Sequence, residues 1–395
     1  MEELLKRYAR LIIEVQLKLE RGDSLSINTE GSTMGFARLL AKMACEATLQ
    51  VVNIVETNHG KVVQVIPMDP VEHEILRPEV KGFVMCHILD LDNAPYLSEE
   101  NPMDMVADVA LLGSFGLLSD PVFLDRRIAV PWANIPYPGP FWAMQLLGKE
   151  ASELDMWTLF ASLYRLEDNH GLRFWEDQGN LLHYRKQKLN KLGRLQFSIT
   201  GYDWTLQARQ AKRTIWAGGR TTLANNRTFF SNLPVQHLLV SLDSNSAQGT
   251  FTSTKSFLVL GQLVEDATFI VEKGKVVSYT AKKGEHALKA YFSIDEGASI
   301  VSELSLSDND TIESHYLTKG VHPHFNKEMT THLILGGFTL ATLTDQDSDE
   351  DIDACDLARS LVRLEIPVGS NVLSVTALQE NGDEVVLMEE GISLE

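Results

Sequence analysis

Six of the eleven histidines (His237, His286, His315, His322, His324 and His332) fall between positions 237 and 332. Neutral imidazole and carboxylate are the ordinary ligands of a catalytic divalent ion, so a metal site is the first chemistry to look for here. Proximity along a chain is not proximity in space. A histidine is more often hydrogen-bonded or solvated, and His286, His315, His322 and His324 carry that plainer reading. Other reactive patterns are missing. There is no GxSxG elbow for a serine nucleophile. Cys45, Cys86 and Cys355 are far apart, and no CxxC occurs. Cys355 lies beside acids that keep a thiol protonated. No GxGxxG follows the first strand and no GxxxxGK[ST] is present, so the usual phosphate cradles are lacking.

The chain has 395 residues and a formal charge of −19, from 35 basic and 54 acidic side chains. Nucleic-acid binding needs a basic face to neutralise phosphates, and this balance argues against it. Composition is that of an ordinary globular protein, 44% hydrophobic and 23% charged. No apolar run approaches the roughly 18 residues of a membrane span. The opening MEELLKRYARLIIEVQLKLE mixes charge with apolar residues, unlike a secretory signal, so the expected location is the cytoplasm. The acidic stretch from Asp345 to Asp356 reads as a solvated loop.

The elements that would position any site follow from periodicity. Leu4, Leu5, Tyr8, Ile12, Val15 and Leu19 form a helical stripe, with Gly22 placed to end it. Ser24–Thr29 reads as a strand and Thr33–Ala47 as an amphipathic helix. Strand-like runs follow at 48–56, 61–67 and 83–89, then a helix at 102–118 and a strand near Arg127–Trp132. This alternation predicts an α/β N-terminal domain with a mainly parallel sheet. PYPGP at 136–140 reads as a stiff turn, and a helical extension runs from about Ser152 to Leu192. Beyond Gly193 the pattern turns to antiparallel strands at 194–199, 203–207, 250–260 and 268–280, with a hairpin centred on Gly274. The expected domains are therefore 1–190, an α/β domain with a helical extension, and 191–395, a β-rich α+β domain.

Four segments of the second domain carry a family likeness: 231–237 (SNLPVQH), 252–260 (TSTKSFLVL), 284–306 (GEHALKAYFSIDEGASIVSELSL) and 324–338 (HFNKEMTTHLILGGF). It continues through 165–192, 132–142 and the opening helix, in order along essentially the whole chain. In these segments the chain resembles the thermophilic aminopeptidase family of metallopeptidases. The resemblance implies the two-domain architecture above, with the catalytic centre in the C-terminal domain, and a homodimer. It also implies two divalent ions that activate water to release the N-terminal residue of a peptide. Paired cations lower the pKa of bound water and polarise the scissile carbonyl. A nearby carboxylate then serves as general base.

Carried over position by position, the ligands change. The family's N-L-P-x-x-E reads Asn232-Leu233-Pro234-Val235-Gln236-His237, so His237 replaces a glutamate. Asp295-Glu296-Gly297-Ala298 is kept and Glu303 stands where the family has its second glutamate. His332 survives at the end of Lys327-Glu328-Met329-Thr330-Thr331-His332, but the acid five residues before it has become Lys327. Thr339 takes the place of a tyrosine. The family's H-x-D aligns with Arg363-Leu364-Glu365. The resemblance thus leaves His237, Glu303, His332 and Glu365 as metal ligands for one ion rather than two (zinc, cobalt or manganese), with Glu303 or Glu296 orienting the water. A guanidinium has no lone pair to give and stays protonated, so Arg363 cannot ligate. The other outcome is that no ion binds and Arg363 pairs with Glu303 and Glu365, leaving a non-catalytic relative that binds a peptide or other small molecule or serves in assembly. The expected partners are a peptide with a free N-terminus and a second copy of the chain, with neither nucleic acid nor membrane.

Overall fold

The computed structural model describes residues 1–58, 61–69, 78–92, 101–103, 106, 130–147, 150–168, 170–223, 225–311, 325, 328, 330–343 and 354–393. The helix expected at 102–118 falls largely outside them, as do His315, His322, His324, Lys327 and most of the acidic stretch. The described residues within 1–94, 121–180 and 220–235 form one compact unit, and those within 95–120, 181–219 and 236–395 form a second. The expected boundary near 190 is a single cut; in the contact pattern, segment 220–235 groups with the first unit.

In the first unit, helix α1 (Glu2–Leu11) continues as a π-helical turn, Ile12–Gln16. The stripe predicted a helix reaching Leu19. It stops sooner, because the wide turn closes with Leu17 N donating to Ile12 O at 2.8 Å and Lys18 then adopts φ +48°. Strand β1 (Asp23–Glu30) follows, and its residues alternate between buried and half-buried, as a strand covered on one face requires. Helix α2 (Met34–Thr48) leads to β2 (Val52–Asn58), β3 (Lys61–Met68), β4 (Gly82–Asp90) and β5 (Trp132–Tyr137). The sheet order is β3-β2-β1-β4-β5. The β1–β2, β1–β4 and β4–β5 ladders are parallel, and only β3 runs antiparallel. The predicted mainly parallel sheet is what forms.

Two local expectations need correction. Pro136 lies inside β5 rather than in a turn; β5 ends the sheet, where a residue without an N–H is tolerated. The long helical extension is two helices, Glu153–Tyr164 and His170–Lys191. Arg165 at φ +57° ends the first. Asp168 begins the second, accepting from His170 N at 2.7 Å.

The second unit is β-rich. Strands β6 (Gln196–Thr200), β7 (Thr205–Arg209) and β8 (Ala217–Gly218) open it. A two-residue ladder of β9 (Thr221–Thr222) with β10 (Thr228–Phe229) belongs to the first unit. Then come β11 (Leu238–Ser241), β12 (Gln248–Thr252), β13 (Phe257–Val259), β14 (Gln262–Glu272) and β15 (Lys275–Lys283). The chain closes with β16 (Val301–Leu306), β17 (His332–Gly336), β18 (Arg363–Pro367), β19 (Ser374–Leu378), β20 (Glu384–Glu389) and β21 (Ile392–Ser393). Nine strands make one sheet, and five make a second in the order β18-β17-β16-β11-β8. The predicted hairpin between β14 and β15 is present, with Gly274 at φ +82°. The five-stranded sheet is antiparallel throughout, and every residue of β16 and β17 is buried.

Candidate functional site

Side chains alternate across a strand, so register decides which residues share a face. Glu303 lies opposite Ser241 on β11 and Ile334 on β17, and Ile334 lies opposite Glu365 on β18. Two residues along, Ser305 lies opposite His332, and Gly336 lies opposite Arg363. Glu303, Ser305, His332, Arg363 and Glu365 therefore project from one face of the five-stranded sheet. His237, immediately before β11, continues the parity of Ser241 and joins them. Close strand packing at this edge depends on Gly336, whose φ is +103° and whose added Cβ would stand 2.1 Å from Val362 O.

At the centre is a salt-bridged cluster. Arg363 Nε donates to Glu303 Oε2 at 2.8 Å, and Arg363 Nη1 donates to Glu365 Oε1. Thr339 adds its backbone N–H to Glu303 Oε1 at 2.7 Å and its hydroxyl to Oε2 at 3.3 Å. Glu303 is fully buried and the Arg363 side chain is 30% exposed. Burial opposes the guanidinium charge, but the Glu303 and Glu365 carboxylates outweigh that cost and raise the Arg363 pKa above its ordinary value. The two positions where the resemblance places substituted ligands, Thr339 and Arg363, are thus the ones that hold the retained Glu303.

The two histidines are each fixed through Nδ1. His237 Nδ1–H donates to Glu328 Oε1 at 2.8 Å, and Glu328 Oε2 accepts from Gln236 N at 2.5 Å. His332 Nδ1–H donates to Thr330 O at 2.7 Å. Burial pushes the His332 pKa down to about 4, against the opposing pull of Glu365, so its ring is neutral near pH 7 with its lone pair on Nε2. Glu296 behaves differently. It is exposed in the short 3-10 turn Glu296–Ser299, and among the described residues its side chain makes no hydrogen bond to the cluster. Its neighbour Asp295 is the structural acid, accepting from Leu361 N at 2.7 Å and from Ser360 Oγ just before β18. Among the described residues, no three His, Cys, Asp or Glu side chains are arranged to hold a metal ion.

Sequence reasoning assigned no role to Glu328, Ser305 or Lys255. Glu328 is fully buried against His237, yet it sits 91 residues away along the chain. Its only local signal was an acid next to Lys327. Ser305 is buried, and its hydroxyl finds no hydrogen-bond partner among the described residues. Lys255 lies on the β12–β13 loop, close enough for its charge to depress the His332 pKa; its segment was quoted for family likeness without a role.

Comparison with known proteins agrees with this architecture. The family model described as thermophilic metalloprotease (M29) matches residues 1–78 and 122–392. The chain is 25% identical to aminopeptidase T of Thermus aquaticus over 402 residues, covering 98% of each chain. It is 22% identical to aminopeptidase AmpS of Bacillus subtilis, covering 98% of this chain and 97% of that one. The solved structure of wild-type AmpT from Thermus thermophilus superposes with a TM-score of 0.77 at 19% identity, covering 100% of both chains. A 2,5-dihydroxypyridine dioxygenase from Pseudomonas putida shares the fold at a TM-score of 0.51 and 12% identity, covering 99% of this chain and 96% of that one.

Proposed function

The chain belongs to the thermophilic metalloprotease (M29) family, and we propose that within it this protein has exchanged two-ion hydrolysis for binding of a peptide ligand on the same sheet face. The observation that carries this reading is Arg363 bridging Glu303 and Glu365. Two dications need carboxylates to offset their charge. Here one permanently protonated guanidinium holds both retained acids and offers no lone pair of its own. Taking that arginine away from Glu303 would leave a carboxylate buried and unpaired, which is strongly unfavourable. The donor set therefore does not fit the family's two-ion centre.

A second reading rests on the imidazoles. A metal-binding histidine ordinarily donates its other ring N–H to a carboxylate or carbonyl. His237 and His332 both do so, through Glu328 and Thr330. A single divalent ion (zinc, cobalt or manganese) would take these two rings with Glu365, and Glu303 or Glu296 would be the carboxylate nearest the role of orienting water. Metal analysis of the purified chain, with a panel of aminoacyl substrates and added zinc, cobalt or manganese, separates the two. The first reading predicts no release of N-terminal residues above the blank and peptide binding that survives chelation. Metal-dependent release that vanishes in His332→Ala would overturn it and establish the second.

A further inference from the structure

Asn381 is the one asparagine in the chain that glycine follows. It stands at the tip of the β19–β20 hairpin, beyond the paired residues Leu378 and Glu384. Two backbone bonds close the tip: Gly382 N donates to Gln379 O at 3.0 Å, and Gln379 N donates to Asp383 O at 2.9 Å. Gly382 has φ +90°, a conformation that glycine takes without strain. The Asn381 side chain folds back along the chain. Its Oδ1 accepts from Asp383 N at 2.9 Å, and its Nδ2 donates to Asp383 Oδ2 at 2.7 Å. The bond from Asp383 N closes a ring of atoms that includes both the Asn381 amide carbon and Gly382 N. Asn381, Gly382 and Asp383 are all exposed, and a Cβ added at Gly382 would meet nothing within 4 Å.

The glycine sets this position apart from other exposed asparagines. Asn245 and Asn371 are exposed too, but Ser246 and Val372 follow them, and a Cβ crowds the next peptide nitrogen. An exposed hairpin tip opens locally at small free-energy cost, which frees Gly382 N from Gln379 O. We propose that Asn381 is a self-modification site, at which Gly382 N attacks the Asn381 amide carbon and the side chain ends as aspartate or isoaspartate. A bond forms from Gly382 N to that carbon as the bond from the carbon to Nδ2 breaks. The Gly382 N proton passes to solvent, and Nδ2 takes up a proton and leaves as ammonia. The resulting succinimide adds one water. Opening at one carbonyl gives aspartate. Opening at the other gives isoaspartate, whose backbone runs through the former side-chain carbon. The reaction consumes water, releases ammonia and needs no other reactant. Each product carries one more negative charge, beside Glu380, Asp383 and Glu384. The inference is independent of what the five-stranded sheet binds.

The test is peptide mapping by mass spectrometry on the purified full chain, held folded in mildly alkaline buffer and sampled over days. Deamidation should appear first at Asn381, with Asn245 and Asn371 still intact when half of Asn381 has reacted. It should give two products, of which the isoaspartyl one resists an endoprotease that cleaves before aspartate. A more acidic species should accumulate in step on isoelectric focusing and be missing from Asn381→Gln, whose longer side chain closes the ring slowly. Aspartate without isoaspartate would mean direct hydrolysis by water and would overturn the attack by Gly382 N. Conversion in urea-unfolded chain with none in the folded protein would overturn the claim that the folded turn presents the site. An Asn381 that stays intact in both would overturn it as well. Thermal unfolding of Asn381→Gln, expected to coincide with that of the wild type, checks that the variant is folded.

Discussion

Strands β1 and β16 are both central in their sheets, yet β1 buries polar side chains only near its ends, at Asp23 and Thr29, whereas β16 buries them along its length. On β1 the polar side chains at Ser24, Ser26 and Asn28 are half-buried, and the apolar Leu25 and Ile27 fill the core. On β16, Ser302, Glu303 and Ser305 are buried alongside Val301, Leu304 and Leu306. Water can satisfy the first set. The second must find partners within the protein, because a buried polar group without one costs free energy. Ser302 Oγ lies 3.2 Å from Ile334 O and 3.1 Å from Gly337 O, and Glu303 is held by Thr339 and Arg363. A strand built this way is expensive, and proteins keep such strands where the polar groups have work to do.

The largest break in this contrast comes from Arg363→Met. Among the described residues it leaves Glu303 buried with only Thr339, and urea unfolding should show a loss of about 3–5 kcal/mol. Adding Glu303→Gln should recover most of that loss. A loss below about 1 kcal/mol would mean that the cluster contributes little.

A smaller effect should appear in the pH profile. His332 has a folded pKa of about 4 against an ordinary value of 6.5. The unfolded chain therefore takes up a proton between these values while the folded protein does not. Stability from this group should be complete above about pH 6.5 and fall as pH drops towards 4, by up to about 3 kcal/mol. Denaturation midpoints for wild type and His332→Gln should diverge least near pH 4 and most above pH 6.5. Parallel profiles would contradict the assigned shift.

The smallest effects sharpen the comparison within a single strand. Ser302→Ala should cost about 1–2 kcal/mol, because it removes a donor shared by two buried carbonyls. Ser305→Ala, on the opposite face of β16, should stay within about 0.5 kcal/mol of wild type, since its hydroxyl has no partner to lose among the described residues. Ser26→Ala on β1 should be as mild. Equal losses at Ser302 and Ser305 would remove the distinction between satisfied and unsatisfied positions.

The same contrast explains what the amino-acid pattern revealed. The parallel sheet was legible because β1 and β2 alternate with helices of clear 3.6-residue period, and the β14–β15 hairpin because Gly274 marks its turn. Helix ends were less so. The π turn at Ile12–Gln16 keeps the apolar stripe while changing the hydrogen bonding, and Arg165 breaks a helix without glycine or proline. In β16 neither period stands out, since both faces are buried. The site was legible only as single positions in a family pattern. Among those positions, Glu303, His332, Arg363 and Glu365 share one face of the sheet, a placement that comes from strand register rather than from the pattern. The pattern missed Glu328, whose part depends on a contact between distant segments that no local spacing encodes.

If the Arg363 guanidinium stands in for a pair of ions, a calorimetric zinc titration should reveal it. The wild-type chain should not take up a pair of ions, and Arg363→His combined with His237→Glu should raise zinc affinity by returning an imidazole and a carboxylate to the face. Tight binding of two zinc ions per wild-type chain, with no gain in the double variant, would contradict it.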